Sequence, residues 1–160
     1  MQIRSAQARD RADIWRILEP VIRAGETYAL PRDMSEDDAL AYWLGDDRKT
    51  FVAEEDGVVL GTYYLRANQM GGGAHVANCG YVTAAEATGR GIARRMCTHS
   101  LQQARELDFR AMQFNCVVST NAGAVRLWQA MGFETVGRLP GAFAHPVHGF
   151  VDAFVMFRAL

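Results

Sequence analysis

No stretch of this sequence stays apolar for anything like the ~18 residues that a helix needs to cross a bilayer, and none is expected to be a membrane span. Charge of one sign is also missing. Against 17 Lys and Arg stand 18 Asp and Glu, a formal net charge of −1. So balanced a chain projects no overall basic field, which argues against bulk attraction to nucleic acid. Cysteine is scarce and odd in number (Cys79, Cys97, Cys116), and no C-x-x-C pair occurs, so no disulfide framework is indicated. Buried free thiols in a reducing, cytoplasmic setting fit best. Met1-Gln2-Ile3-Arg4 leads into mixed polar sequence instead of an apolar run, so no secretory leader is expected. Repeats, low-complexity segments and linkers are missing too, and residues 1–160 are expected to form a single domain. No Ser-His-Asp or Cys-His arrangement suggests a nucleophile. His145 and His148 have a ligand-like spacing but no evident third ligand, so no metal is expected.

What is present is ordinary for a globular domain: 49% hydrophobic and 22% charged residues. Asp10 is placed to cap a helix with apolar positions at Ile14, Leu18, Val21 and Ile22, and Pro20 should break or kink it. Ser35 and Asp38 form a capping pair before Leu40, Trp43 and Leu44. Between these helices the irregular segment Ala24–Pro31, with Glu26, Thr27 and Tyr28, either walls a substrate site or simply connects helices. Asp56-Gly57 between two strand-like runs is a hairpin signal. Gly71-Gly72-Gly73 lacks the following Lys-Ser/Thr and helix of a nucleotide loop and reads as a flexible connection.

Two features depart from the ordinary. Strand-like His75–Val82 carries Asn78 at its centre, and Ala111–Val118 carries Asn115. A buried amide without partners costs roughly 1–3 kcal/mol, so each must bond either neighbouring backbone or a ligand. Gly80 inside the first of these strands indicates a bulge or a close approach. The second feature is Ala87-Thr88-Gly89-Arg90-Gly91-Ile92-Ala93-Arg94, where a strand ends in a glycine turn and opens a helix. Helix N-termini present unpaired amides and partial positive charge. Glycine there admits a phosphate, although a plain tight turn has the same pattern. His99 faces away from the apolar stripe of that helix and reads as solvent-exposed. Asn121 caps a further helix containing Ala124 and Trp128. Glu134–Leu139 and Val151–Leu160 close the chain as strands, with Phe143, His145 and His148 in the loop between them. The order is β α α β β β α β α β β, a mixed α/β (α+β) arrangement.

Thr88-Gly89-Arg90-Gly91-Ile92-Ala93 resembles the Arg/Gln-x-x-Gly-x-Gly/Ala signature of the Gcn5-related N-acetyltransferases, with Thr88 where Arg or Gln is usual. Asn121 through Phe133 resembles their second signature, Asn-x-x-Ala-x-x-Leu-Tyr-x-x-x-Gly-Phe, with Trp128 in place of the Tyr. A narrower likeness, carried by Asn68–Tyr81, Phe114-Asn115 and Asn121, is to the subgroup containing the yeast azetidine-2-carboxylate N-acetyltransferase.

The resemblance implies a mostly antiparallel sheet of about seven strands with four helices, splayed between strands four and five. It implies acetyl-coenzyme A as acyl donor, with the backbone of Tyr81, Val82 and Thr83 along the pantetheine arm. The amides of Gly89, Arg90, Gly91, Ile92, Ala93 and Arg94 would hold the pyrophosphate, with Asn121, Ala124 and Trp128 on the far side. Asn78 and Asn115 would stabilise the oxyanion, and Trp128 cannot act as the acid for the thiolate. Glu26 or His75 is a candidate base, and Tyr28 and Phe143 are candidates for a lip over the acceptor. The acceptor expected is the amine of a small molecule such as an amino acid or proline-like analogue. The alternatives are a protein, polyamine or antibiotic amine, or a silent acyl-coenzyme A-binding module. A homodimer is compatible with the sequence.

Overall fold

The computed structural model describes residues 1–160. The elements are β1 (Gln2–Ser5), α1 (Arg11–Ala24), α2 (Glu36–Trp43), β2 (Arg48–Glu55), β3 (Val58–Ala67), β4 (Val76–Thr83), α3 (Ile92–Glu106), β5 (Ala111–Val118), α4 (Ala122–Ala130), β6 (Glu134–His145) and β7 (Gly149–Ala159). All seven strands form one sheet in the order β1-β2-β3-β4-β5-β7-β6. Every neighbouring pair is antiparallel except β4 and β5, which are parallel. The fold class and element order expected from the sequence therefore hold.

The helices cover both faces of the sheet. The Trp43 indole of α2 donates to Thr62 Oγ1 at 3.0 Å, while Ile92 and Met96 of α3 close on Gly61. Successive strand residues point to opposite faces, so α2 and α3 lie on opposite sides of β3. The core is one cluster of 31 buried residues running through both layers.

The feature that positions the site is a fork. β4 and β5 pair only at Val76–Ala111 and Ala77–Met112, and beyond that point they part. The β5–β7 register shifts between Phe114 and Val117, which takes Asn115 and Cys116 out of the ladder. Two strand ends thus diverge around Asn78 and Asn115.

Several local expectations are revised. Helix α1 runs through Pro20 to Ala24. The proline removes one backbone bond, but its side is solvent-facing while Ile17, Leu18 and Ile22 pack into the core. The helix stops instead at Gly25, whose N–H reaches the Val21 carbonyl at 3.2 Å. Asp10 does not cap α1. It is buried, accepts the Gln7 N–H at 2.7 Å and binds both terminal nitrogens of Arg4. The Arg4 guanidinium holds its carboxyl below the usual range. Gly71–Gly73 forms a 3-10 turn. Cys116 is exposed, unlike buried Cys79 and Cys97.

His99 is half-buried, with Nδ1 2.6 Å from the Tyr63 hydroxyl and its ring against Phe51. Burial lowers its pKa, which keeps Nδ1 free to accept from that hydroxyl. The expected loop around Phe143 and His145 belongs to β6. β6 is an edge strand, where Pro140 withholds no needed donor, and a register shift between Leu139 and Phe143 absorbs it. His145 Nδ1 accepts the Val147 and His148 amides, closing the β6–β7 turn.

Candidate active site

The fork opens into a cavity of about 360 Å3 lined mostly by apolar side chains. Of the residues singled out from the sequence, Thr27, Tyr28, Asn78, Tyr81, Val82, Thr83, Asn115, Asn121, Ala124 and Trp128 lie on its wall. Glu26, His75 and Phe143 do not. Glu26 and His75 are exposed elsewhere, and Phe143 is buried beneath the β6–β7 hairpin opposite Val151.

Asn78 is buried at the branch point, and its Nδ2 donates to the Gln113 carbonyl at 2.9 Å. That bond spans β4 to β5 one residue beyond their last ladder pair, so the side chain continues the pairing where the backbones diverge. Asn115 sits in the β5 irregularity. Its Oδ1 accepts from Gln113 Nε2 at 2.8 Å, and its Nδ2 donates to Asn68 Oδ1 at 2.7 Å. Each carboxamide is thus held at a fixed angle with one Nδ2 hydrogen left over. Fixed donors beside a cavity suit a group that becomes negative during a reaction.

Aromatic rings close the two sides. Trp128 of α4 packs against Tyr81 and Phe114 with ring centroids 5.0 and 5.1 Å apart. On the opposite face the Tyr28 hydroxyl donates to the Tyr81 carbonyl at 3.0 Å. Burial pushes the Tyr28 hydroxyl well above its ordinary pKa, so it stays protonated near neutrality. Gly80 makes this packing possible. A Cβ there would lie 2.6 Å from the Tyr64 ring and 2.9 Å from the Tyr28 hydroxyl oxygen. Gly80→Ala is expected to destabilise the fold by about 1–3 kcal/mol, the usual range for overpacking. Chemical denaturation measures it, and an unchanged midpoint would show that the rings have room to move.

Beyond Thr83 the chain turns through Ala85–Ala87 into the glycine stretch. Gly89 and Gly91 both adopt left-handed φ, 81° and 76°, and nothing lies within 4 Å of where a Cβ would stand on either. The amides of Gly89, Gly91, Ile92, Ala93 and Arg94 have no partner in the protein, whereas that of Arg90, also expected to be free, donates to the Ala87 carbonyl at 3.4 Å. They open α3, whose 15 residues align their peptide dipoles behind them. Unpaired, unobstructed amides at a helix N-terminus are chemically suited to a pyrophosphate. The neighbouring arginines are partly committed: Arg90 pairs with Glu55, and Arg94 reaches Met131 Sδ at 3.6 Å. Asn121 caps α4 by accepting the Ala124 amide at 3.3 Å.

Sequence reasoning missed Tyr42, Tyr64 and Arg66 on the cavity wall. All three sit in segments that read as ordinary helix and hairpin. The available signal was register, because Arg66 stands directly opposite Asn78 and Tyr64 opposite Gly80.

A sheet forked between parallel strands, with an amide-rich turn opening the crossover helix, defines an architecture shared with known acyl-transfer proteins. The model of the acetyltransferase (GNAT) family matches residues 13–133, and the chain belongs to that family. The structure of a GCN5-related N-acetyltransferase from Kribbella flavida superposes with a TM-score of 0.95 at 42% identity, covering 99% of this chain and 97% of that one. The N-acetyltransferase aca1 of Schizosaccharomyces pombe is 31% identical over 98 residues, 61% of this chain and 47% of that protein. The chain thus matches only about half of that curated relative. The fold is also that of yncA from Salmonella typhimurium, solved with its cofactor acetyl-CoA, at a TM-score of 0.89 and 22% identity over 100% of this chain and 94% of that one.

Proposed function

We propose that this protein transfers the acetyl group of acetyl-coenzyme A to the amine of a small molecule, an amino acid or a proline-like analogue being the class favoured. The observation that carries the reading is the pair of oriented carboxamides, Asn78 and Asn115, facing one cavity at the point where β4 and β5 part. A protein that merely bound an acyl thioester would have no use for fixed donors beside the reacting carbonyl. The likeness of Asn68–Tyr81 and Phe114-Asn115 to the azetidine-2-carboxylate acetyltransferase subgroup supports a small amino-acid acceptor.

Acetyl-coenzyme A supplies the acetyl group and departs as the thiol. The unpaired amides of Gly89, Gly91, Ile92, Ala93 and Arg94 hold its pyrophosphate, and the β4 edge from Tyr81 to Thr83 bonds the pantetheine arm in the manner of an added strand. The acceptor nitrogen forms its bond to the thioester carbonyl carbon, the carbon–sulfur bond breaks, and the nitrogen loses a proton. Asn78 and Asn115 donate to the carbonyl oxygen as it gains charge.

No carboxylate or imidazole stands on the cavity wall, and the hydroxyl of Tyr28 is held protonated. The acceptor therefore enters as the neutral amine and its proton leaves through water. Trp128 fills the place of a thiol-protonating Tyr without serving as an acid. A thiolate of ordinary pKa, about 8.5, departs without such help.

The test is thiol release from acetyl-coenzyme A across a panel of amino acids, proline analogues, polyamines and peptide N-termini. A small amino acid should react fastest, and its rate should rise with pH until the amine itself is neutral. A polyamine or peptide leading the panel would redirect the acceptor assignment. Silence across the panel, with acetyl-coenzyme A still bound, would make the protein a binding module.

A further inference from the structure

One row of the sheet, on the α2 side of β3, carries an unbalanced charge. Arg48 of β2 is directly opposite Arg66 of β3, which is directly opposite Asn78 of β4. Directly opposed side chains share a face, and like charges so placed destabilise a sheet. A single carboxylate, Asp47, stands between the two guanidinium groups, and it serves them unequally. Arg48 takes both of its oxygens, Nε to Oδ1 at 2.6 Å and Nη2 to Oδ2 at 3.1 Å, whereas Arg66 reaches only Oδ2, through Nη1 at 3.2 Å. Arg48 is further accommodated by the Tyr64 and Tyr42 rings, 4.9 and 5.0 Å from its central carbon.

Each guanidinium keeps one buried nitrogen without a hydrogen-bond partner, Nη1 in Arg48 and Nε in Arg66, but Arg66 has no ring over it and is the one of the two on the cavity wall. A guanidinium donor kept from water and left unpaired destabilises a protein unless something else bonds it. Nothing in the fold does.

We infer that Arg66 binds the carboxylate of the acceptor, so that the substrate is an amine carrying an acid group close to its nitrogen. This rests on the acetyl-transfer reading above and names the group by which the acceptor is held. A guanidinium presents parallel N–H donors to a planar carboxylate, and Arg66, partly exposed on the cavity wall, has Nη2 unbonded and Nη1 engaged only by the 3.2 Å contact to Asp47. The antiparallel ladder sets Arg66 beside Asn78. A carboxylate on Arg66 therefore leaves a nearby amine next to the carboxamide that would face the reacting carbonyl. A polyamine is disfavoured by the same geometry, because its second cation would meet the charge of Arg66.

The experiment compares acids with their uncharged counterparts. Protein loaded with coenzyme A is titrated calorimetrically with proline, azetidine-2-carboxylate and glycine, each beside its primary amide. The acids should bind about ten- to a hundredfold more tightly, the range expected of a charge-assisted pair. Arg66→Gln should erase that difference by weakening the acids alone, and Arg66→Lys should restore part of it. Should Arg66→Gln fail to fold, Asp47→Asn provides the opposite test: removing the competing carboxylate should tighten acid binding.

Equal binding of acid and amide, equal loss of both in Arg66→Gln, or no binding of any acid would overturn the inference. The two proposals fail separately. If amides are acetylated as fast as acids, acetyl transfer stands and the carboxylate site falls. If acids bind through Arg66 without thiol release, the carboxylate site stands and turnover falls.

Discussion

Asn115→Ala is expected to lower kcat about a hundredfold or more, the size of effect found when one oxyanion donor is removed, while leaving the dissociation constant of acetyl-coenzyme A nearly unchanged. The expectation comes from the way this side chain is held. Gln113 and Asn68 occupy its oxygen and one of its amide hydrogens, so the remaining hydrogen has a set direction and loses little freedom on bonding charge. Asn115 is exposed and outside the β5–β7 ladder, and its removal should cost the fold no more than about 0.5 kcal/mol.

Asn78→Ala makes an informative contrast. It should slow turnover as well, but it also strips the Gln113 carbonyl of its partner at the buried branch point, a loss of about 1–3 kcal/mol in stability. Single-turnover kinetics, calorimetry with acetyl-coenzyme A, and denaturation together separate the two variants. A parallel loss of turnover and donor binding in Asn115→Ala would instead make it a binding residue, since an interaction made only in the transition state leaves ground-state binding alone.

What could be read from the chain followed the range of the interactions. The Asp56-Gly57 turn, the Ser35 cap and the glycine turn are local, and each occurs where the sequence places it: Gly57 has φ 80°, Ser35 Oγ accepts the Asp38 amide, and Gly89 and Gly91 are left-handed. Asn78 was legible as an anomaly, but its partner was not, because the Gln113 carbonyl lies 35 residues away and is reached only through the β4–β5 pairing. Arg66 was invisible for the same reason. Nothing in Tyr-Tyr-Leu-Arg says that Arg48 and Asn78 flank it until strand register is known. Gly80 sits between these cases. Its presence in a strand pointed to a close approach, and the approaching groups are the Tyr64 ring and the Tyr28 hydroxyl. Pro20 misled in the other direction: it is disruptive by local rule, yet α1 runs through it on an exposed face where solvent can take up the carbonyl left unpaired.

Gly91→Val should produce the reverse kinetic signature from Asn115→Ala: the dissociation constant of acetyl-coenzyme A rises about ten- to a hundredfold, and kcat at saturating donor is largely kept. Two costs combine in the variant. At φ 76° a β-branched residue is strained by roughly 1–2 kcal/mol, which perturbs the turn presenting the amides of Gly91, Ile92 and Ala93. The added side chain also enters space that the protein leaves open above those amides, where a phosphate would have to approach. Because that space is open, the variant meets no clash in the protein itself and should still fold. The donor can then be shortened to ask which part of it the turn holds. Acetyl-pantetheine has the thioester and the arm but no pyrophosphate, so its kcat/KM should be nearly the same with wild type and with Gly91→Val. If the variant were to lose acetyl-pantetheine and acetyl-coenzyme A alike, the damage would have reached the fork, and the turn would be holding the strands rather than the phosphates.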